Sequence, residues 1–323
     1  MRIIKILLVA LCAFVVILTT IYFWGKQSAQ TPKTILTHVY KEHEIRADST
    51  IFLMTYNIGY LSGMTNNMPT KPEEKLFSDN LNLLKQKLNG ELPDLICFQE
   101  IDYGSQRSFR VNQHDSIANL FYPWSVCAIN WNKRFVPFPY WPPSVWFGQV
   151  LSGQSIMSKW ELEHPQRMEL PKVKSKPFFY NDFYLDRLLV TSMVKHPVRD
   201  FIMMNLHAEA FDTITRNQQL EIVYQHFKAE SLKYPVILAG DFNATPQSDE
   251  PGIHLFLNDS TIGCAVTPQV GKPATYPSEN PEERIDYIFF SKKDFIEITG
   301  KVDTSYGTIS DHLPVTTRLK YLR

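Results

Sequence analysis

The chain has 323 residues, 44% hydrophobic and 20% charged, an ordinary globular composition long enough for one large domain or two small ones. Lysine plus arginine and aspartate plus glutamate balance at 33 each, so no bulk charge draws the chain to nucleic acid. That weighs against a general nuclease and leaves only local patches to argue for one. The four cysteines (Cys12, Cys97, Cys127, Cys264) show no Cys-x-x-Cys spacing, so neither a zinc site nor a disulfide framework is suggested, and Cys97 reads as plain core.

Arg2 and Lys5 precede an unbroken stretch from Ile6 to Trp24 whose only polar members are Thr19, Thr20 and the Tyr22 hydroxyl. That is the length a helix needs to cross a bilayer. The basic residues in front favour a cytoplasmic N-terminus, with the bulk of the chain on the far side. A cleaved signal peptide, leaving a secreted protein, competes with this reading. Its apolar core is usually shorter, and no small-x-small cleavage site follows here. The division expected is a cytoplasmic tip at 1–5, a transmembrane signal anchor at 6–24, a polar linker at 25–48 and one catalytic domain at 49–323.

From Ile51 onward, strand-like and helix-like segments alternate. Strands are expected at 51–56, 93–98, 155–158, 185–193, 201–206, 235–240, 284–290 and 312–319. Helices are expected from Pro72 to Leu88, where Leu76, Leu81, Leu84 and Leu88 keep helical spacing, from Thr213 to Lys228, and near 249–258. Such alternation implies helices covering a mainly buried sheet, an α/β architecture. The stretch from Phe121 to Phe147 differs, being dense in aromatics and prolines.

The buried strands end in polar residues that folding alone would not place there. Asn57 ends the first, Glu100 the second and His207 a later one. Asp241 and Asn243 follow the apolar run at 235–239 and share one face of an extended segment. An Asp-x-Asn turn accounts for that pair equally well when it is taken alone. Asp286 lies within an otherwise apolar strand, where an unpaired carboxylate is costly, so it needs a partner. Asp311 and His312 stand side by side before the last strand. Ligands of α/β sheets bind at strand ends, where loops converge. Carboxylates and carboxamides suit oxygen-ligated Mg2+ or Mn2+, with Glu100, Asn57 and Asp311 as ligands. His312 with Asp286 makes an imidazole–carboxylate pair that fixes a tautomer.

The phrases TYNI, FQE, LHAE, GDFNATP, RIDYIFFS and SDHLPV, in this order and spacing, resemble the endonuclease/exonuclease/phosphatase superfamily across about residues 49–320. Its members include pancreatic-type deoxyribonucleases, apurinic endonucleases, neutral sphingomyelinases, inositol-polyphosphate phosphatases and deadenylases. The resemblance implies a four-layer α/β sandwich, two face-to-face mixed sheets flanked by helices, here preceded by the N-terminal transmembrane helix. It also implies a Mg2+- or Mn2+-dependent phosphoesterase. Asn57, Glu100 and Asp311 resemble the metal-site residues. His207 resembles the histidine on the scissile phosphate, Asp241 the residue that orients or deprotonates the attacking water, and Asn243 the one steadying the phosphate. His312 resembles the second phosphate-facing histidine, oriented by Asp286. The acid that some nucleases use to orient the residue corresponding to His207 is not evident. Arg187 could reach the phosphate, with a surface salt bridge as its other reading.

Two substrate classes remain open. The anchor, the neutral charge and the aromatic stretch (Phe121, Tyr122, Trp124, Trp131, Phe135, Phe138, Tyr140, Trp141, Trp146, Phe147) point to a diesterase acting on a lipid headgroup, with those rings in an interfacial loop. Packing of the same rings beneath a long loop is the competing reading. An exported or tethered nuclease would stack bases on them, although Arg107, Arg110, Lys133 and Arg134 make no basic stripe. A non-catalytic binding protein on this fold is disfavoured by the complete acid and histidine set. The membrane and a phosphate ester are the expected partners, and no obligate protein partner is evident.

Overall fold

The computed structural model of the protein describes residues 2–30, 34–40, 48–66, 68–137, 141–247, 250–269 and 272–322. After the apolar helix α1 (Arg2–Gly25) come β1 (Ile35–Val39), β2 (Thr50–Asn57), α2 (Glu74–Gly90), β3 (Leu95–Asp102), α3 (Gln113–Phe121), β4 (Trp124–Val136) and β5 (Gly148–Ser158). The second half runs β6 (Leu162–Glu169), α4 (Phe178–Phe183), β7 (Leu188–Val194), β8 (Phe201–His207), α5 (Thr213–Ser231), β9 (Val236–Asp241) and α6 (Pro251–Leu257). It closes with β10 (Ile262–Cys264), β11 (Asp286–Ser291), β12 (Phe295–Val302) and β13 (Val315–Tyr321).

Two mixed sheets result. One has seven strands in the order β1-β4-β5-β3-β2-β13-β12, the other six in the order β10-β11-β9-β8-β7-β6. Only β2 with β3 and β8 with β9 pair in parallel; the other ladders are antiparallel. The period of two along each strand sorts the side chains into layers. Ile51, Leu53, Leu95 and Cys97 meet Phe201, Met203, Ile237, Ala239 and Ile288 between the sheets. Met54, Tyr56, Ile96 and Phe98 turn the other way, onto Leu81, Leu84 and Leu88 of α2 and Ile117 of α3. On the far side, Leu206, Leu238 and Phe289 pack on Leu220, Val223 and Phe227 of α5 and Phe256 of α6. This is the helix–sheet–sheet–helix sandwich expected from the sequence.

Local chemistry sets the helix starts. Asp212 caps α5 by accepting the Thr215 N–H, and Asn112 caps α3 by accepting the Asp115 N–H. Helix α6 begins with Pro251 in its first turn. The expected patch at 249–258 overlaps it, residue 249 lying outside the described residues.

Several expectations change. The linker at 25–48 contributes β1, which pairs with β4 from Ile35↔Ala128 to Val39↔Trp124; residues 31–33 and 41–47 lie outside the described residues. The aromatic, proline-rich stretch is not simply a loop, because residues 124–136 form the 13-residue strand β4. Both faces of β4 are largely covered, so it carries no alternation of apolar and polar residues. Of the ten rings in that stretch, Tyr122 and Trp131 are buried and only Trp141 is exposed, while Phe138 and Tyr140 lie outside the described residues. Edge strand β6 escapes notice for the opposite reason, its residues being largely polar and exposed, and edge strand β12 because its isoleucines Ile296 and Ile298 lie on the exposed side. Asp286 begins β11 rather than lying within it.

Candidate active site at one end of the sandwich

The inter-sheet face changes character along the strands. Above the apolar core lies a polar layer. Gln99 Nε2 donates to Asn205 Oδ1 at 2.7 Å and to Thr55 Oγ1 at 3.2 Å, and Asn205 Nδ2 donates to the carbonyls of Phe98 and Ser155, both at 3.0 Å. Gln154 Nε2 donates to the Asn205 carbonyl at 3.0 Å. Beyond it comes the last rung: Asn57 on β2, His207 on β8, Asp241 on β9 and Asp286 on β11. Each continues the period of two begun by its strand's core residues.

Glu100 needs one extra device. Ile96, Phe98 and Ile101 all lie on the helix side of β3, so strict alternation would send Glu100 there too. The β3–β5 ladder slips between Phe98 and Ile101, and Glu100 adopts φ +50°. This bulge turns the carboxylate toward the sandwich end. Close approach of strands fixes Gly240 as well, since a Cβ there would lie 2.0 Å from the Leu206 carbonyl oxygen and the residue holds φ +149°.

Register places Asp286 opposite Asp241, and Asp241 opposite His207, so three adjacent strands present one row. His312 Nδ1 lies 3.0 Å from Asp286 Oδ2, and its Nε2 is 4.0 Å from Asp241 Oδ2. Asn57 Nδ2 donates to Asp241 Oδ2 at 2.9 Å and reaches Glu100 Oε1 at 3.4 Å, while its Oδ1 accepts the Gly59 N–H at 3.0 Å. Asn57 therefore turns its nitrogen, not its oxygen, toward the acids. Burial, then the facing Asp286 carboxylate, raises Asp241 to about 7. Burial alone would lower His312, but Asp286, Asp241 and Asp311 outweigh it and hold the imidazole well above its ordinary value. His207 goes the other way: burial, then the positive charges of Arg187 and His312, push it well below. Asp311 is raised by burial against the pull of His312.

Arg187 is buried at 5% exposure, and the surface salt bridge reading fails. Its Nη1 donates to His207 Nε2 at 2.6 Å, its Nε to Glu209 Oε2 at 3.3 Å and its Nη2 to the Tyr184 hydroxyl at 2.8 Å. Since guanidinium only donates, Nε2 of His207 accepts and its proton sits on Nδ1, which is buried without a hydrogen-bond partner among the described residues. His207 is thus oriented by a cation, itself held by Glu209, where some nucleases use an acid. Asn243 keeps both readings of its phrase: its N–H closes a turn on Asp241 Oδ1 at 2.9 Å, and its side chain, donating to the Ala208 carbonyl at 3.1 Å, lines the cavity.

Asn66, which sequence reasoning missed, holds the other wall. Its Nδ2 lies 3.1 Å from Asp311 Oδ2 and 3.4 Å from Glu100 Oε2. Two carboxylates sharing one neutral amide leave net negative charge facing the cavity, and an all-oxygen pair suits a hard divalent cation. Asp241, Asp286 and His312 also offer one atom each within 4.8 Å of one another. In that trio the Asp286 and His312 atoms already satisfy each other through a proton, so the Glu100–Asp311 pair is the better cation seat. The cavity in front of all these groups holds about 580 Å³ and is walled by Trp131, Phe147, Tyr180 and Tyr184.

The family model for the Endonuclease/Exonuclease/phosphatase family matches residues 54–312. No curated protein sequence matches the chain. Among solved structures, an endonuclease/exonuclease/phosphatase from Beutenbergia cavernae is similar at 20% identity and TM-score 0.60, over 84% of this chain and 72% of that one. The human Nocturnin catalytic domain with bound sulfate is similar at 17% identity and TM-score 0.59, over 85% of this chain and 95% of its own. A mannosyl-6-phosphatase of Bacteroides thetaiotaomicron matches at 16% identity and TM-score 0.58, over 84% of this chain and 100% of its own. At these identities the likeness speaks for the fold.

Proposed function

Because the chain belongs to the Endonuclease/Exonuclease/phosphatase family, whose members are generally hydrolytic phosphoesterases, we propose that it is a divalent-metal-dependent phosphodiesterase acting on a lipid headgroup. The observation that carries this reading is the cross-strand row Asp286–Asp241–His207, with His312 on Asp286, facing the Glu100–Asp311 pair across one cavity.

Glu100 and Asp311 would hold a magnesium or manganese ion, with Asn57 beside them, and such an ion would polarise a phosphoryl oxygen. The remaining work falls to the chain's own groups. Asp241, steadied by Asn57 and by the Asn243 N–H, orients the attacking water and takes its proton. His312, fixed through Nδ1 by Asp286, directs Nε2 at a phosphoryl oxygen. Arg187, held by Glu209, adds fixed positive charge beside His207, and Asn243 steadies the phosphate from the rim.

The cavity walls favour the lipid substrate. Both guanidinium groups in the cavity are internally committed: Arg187 as above, and Arg107 to Asp102 at 2.9 Å, 3.8 Å over the Tyr60 ring. A nucleic-acid track calls instead for cations left available to successive phosphates. Helix α1, apolar enough over Arg2–Gly25 to cross a membrane, would anchor the domain with its N-terminus in the cytoplasm and the catalytic domain, residues 49–323, on the far side. A nuclease remains the second reading, favoured by the ring faces, which could stack bases, and by the likeness to zebrafish TDP2 complexed with a single-stranded DNA product (16% identity, TM-score 0.58, 84% of this chain and 100% of that one).

One side-by-side assay decides between them: full-length protein with the same added Mn2+ or Mg2+, offered sphingomyelin or phosphatidylinositol vesicles and supercoiled plasmid. Headgroup release with intact plasmid is expected. Nicked plasmid with untouched lipid overturns the lipid assignment.

A further inference from the structure

The anchor is clamped to the domain rather than tethered. Helix α1 is exposed along nearly its whole length until Gly25, which is buried. At that end the Tyr22 hydroxyl donates to Asp182, and Lys26 Nζ lies 3.0 Å from the same carboxylate. The Tyr22 ring meets Phe183 and Phe178 edge-on at 5.5 and 6.4 Å. On the other side Trp24 packs on Phe135 at 6.2 Å, and Phe135 on Trp146 at 5.9 Å. A Cβ on Gly25 would lie 3.1 Å from the Phe135 carbonyl oxygen. The chain after the helix stays attached: Arg134 N donates to Gln27 O at 2.8 Å, and Ala29 N to Asn132 Oδ1 at 2.8 Å.

The segments that grip the anchor also build the cavity. Helix α4 gives Phe178, Asp182 and Phe183 to α1, while its Tyr180, with Tyr184 just beyond it, lines the cavity. Opposite, Trp146 belongs to the grip and its neighbour Phe147 to the cavity wall. Trp131 Nε1 donates to the Phe183 carbonyl at 2.7 Å and ties the two sides together.

The third observation is the surface around that grip. Lys174 and Lys176 are exposed and lead directly into Phe178 and Phe179, which are 73% and 55% exposed. Phe211, which lines the cavity, is 70% exposed. Basic residues followed by exposed aromatics, level with the Tyr22–Trp24–Lys26 end of an apolar helix, match a bilayer's headgroup region, where lysines meet lipid phosphates and rings sit at the interface.

We propose that α4 and the lysines before it form a bilayer-docking face continuous with the anchor, so that the cavity opens against the headgroups and draws its phosphodiester from the same membrane. This rests on reading the cavity as a diesterase site, but the label-depth arm of its test does not.

Full-length protein is reconstituted in phosphatidylcholine–phosphatidylserine vesicles with a nitroxide at Phe179→Cys, and with a control at Leu232→Cys, both in a Cys12→Ser, Cys264→Ser background. The Phe179 label should be reached by membrane-dissolved oxygen in preference to a water-soluble relaxant, and the Leu232 label the reverse. Equal water access at both sites overturns the proposal, as does concentration-dependent spin–spin broadening at Phe179, which would place a second copy of the chain there. A Phe178→Ser, Phe179→Ser variant should keep bis-p-nitrophenyl phosphate turnover within about twofold while losing about tenfold or more on vesicle lipid, the scale expected for removing two membrane-buried rings. Parallel loss on both substrates, or no loss on vesicles, contradicts docking. A wild-type protein that cleaves neither ester defeats the active-site reading, while the label depth still decides this one.

Discussion

The floor of the cavity and its walls are built on different principles. The floor is drawn from the strand ends of two sheets: Asn57, His207, Asp241 and Asp286 each stand one rung further along a face that begins as core, Glu100 is turned in by a bulge, and Asp311 and His312 come from the loop before β13. The walls come from α4 and the residue after it, from Trp131 within β4 and from Phe147 just before β5. Strand register fixes most of the floor, whereas ring packing and helix α1 fix the walls. On the proposed function, chemistry sits where geometry is most constrained, and substrate selection where the fold can change cheaply.

Changes to the floor should therefore abolish turnover on every substrate. His312→Ala or Asp241→Asn is expected to lower kcat by about 10²–10⁴-fold on bis-p-nitrophenyl phosphate and on lipid alike, with an unchanged circular dichroism spectrum. A variant that loses lipid hydrolysis alone would move that residue to the wall. Next in size, Asn66→Ala should raise the Mn2+ concentration needed for half-maximal activity by about 10–100-fold, because Asn66 contacts both acids of the proposed cation seat. Unchanged metal dependence would assign that seat to Asp241, Asp286 and His312.

Arg187 tests the border between floor and wall. Arg187→Met leaves Glu209 buried without its cation and should cost about 3–5 kcal/mol of stability in urea melts, as breaking a buried pair does. Arg187→Lys cannot span His207, Glu209 and Tyr184 with one fork. It should recover much of the stability and less of the activity. Equal recovery of both would make Arg187 structural only.

The floor was largely legible in the sequence, and the reason is periodicity. Asn57, His207, Asp241 and Asp286 break an apolar pattern at strand ends, so each stands out locally. Asn66, Asn205 and Gln154 do not, being polar residues in loops or strands whose importance lies in what another strand brings against them. Arg187 carried no signal beyond its strand start, since burial at 5% exposure depends on Glu209 and Tyr184. The walls were least legible. Strand β4 hides its period because both faces are covered, and no local pattern in Phe178–Phe183 says that one side meets helix α1, Tyr22 and Asp182 being 160 residues apart.

The smallest expected effect lies outside both regions. His114 is wholly buried between Ser155 Oγ at 2.8 Å and Ser125 Oγ at 2.9 Å, and burial lowers it to about 3. A base whose folded pKa is depressed favours folding while neutral. Its stability is fully present above about pH 6.5, the unfolded value, and is lost as pH falls from there toward 3. The urea midpoint should decline over that window, and His114→Gln should flatten the decline while lowering the plateau at neutral pH. An equally steep decline in the variant would assign the acid sensitivity elsewhere, His196 being the next candidate since burial lowers it to about 4.

The most direct measurement is hydrolysis of bis-p-nitrophenyl phosphate by the full-length protein in detergent, after exhaustive chelation and again after Mn2+ or Mg2+ is restored. Turnover should vanish with chelation, return with the ion, and fail to return in Glu100→Gln at the same ion concentration. Undiminished turnover in the chelated wild-type protein would contradict a cation seated between Glu100 and Asp311, and with it the reading of the whole cavity floor.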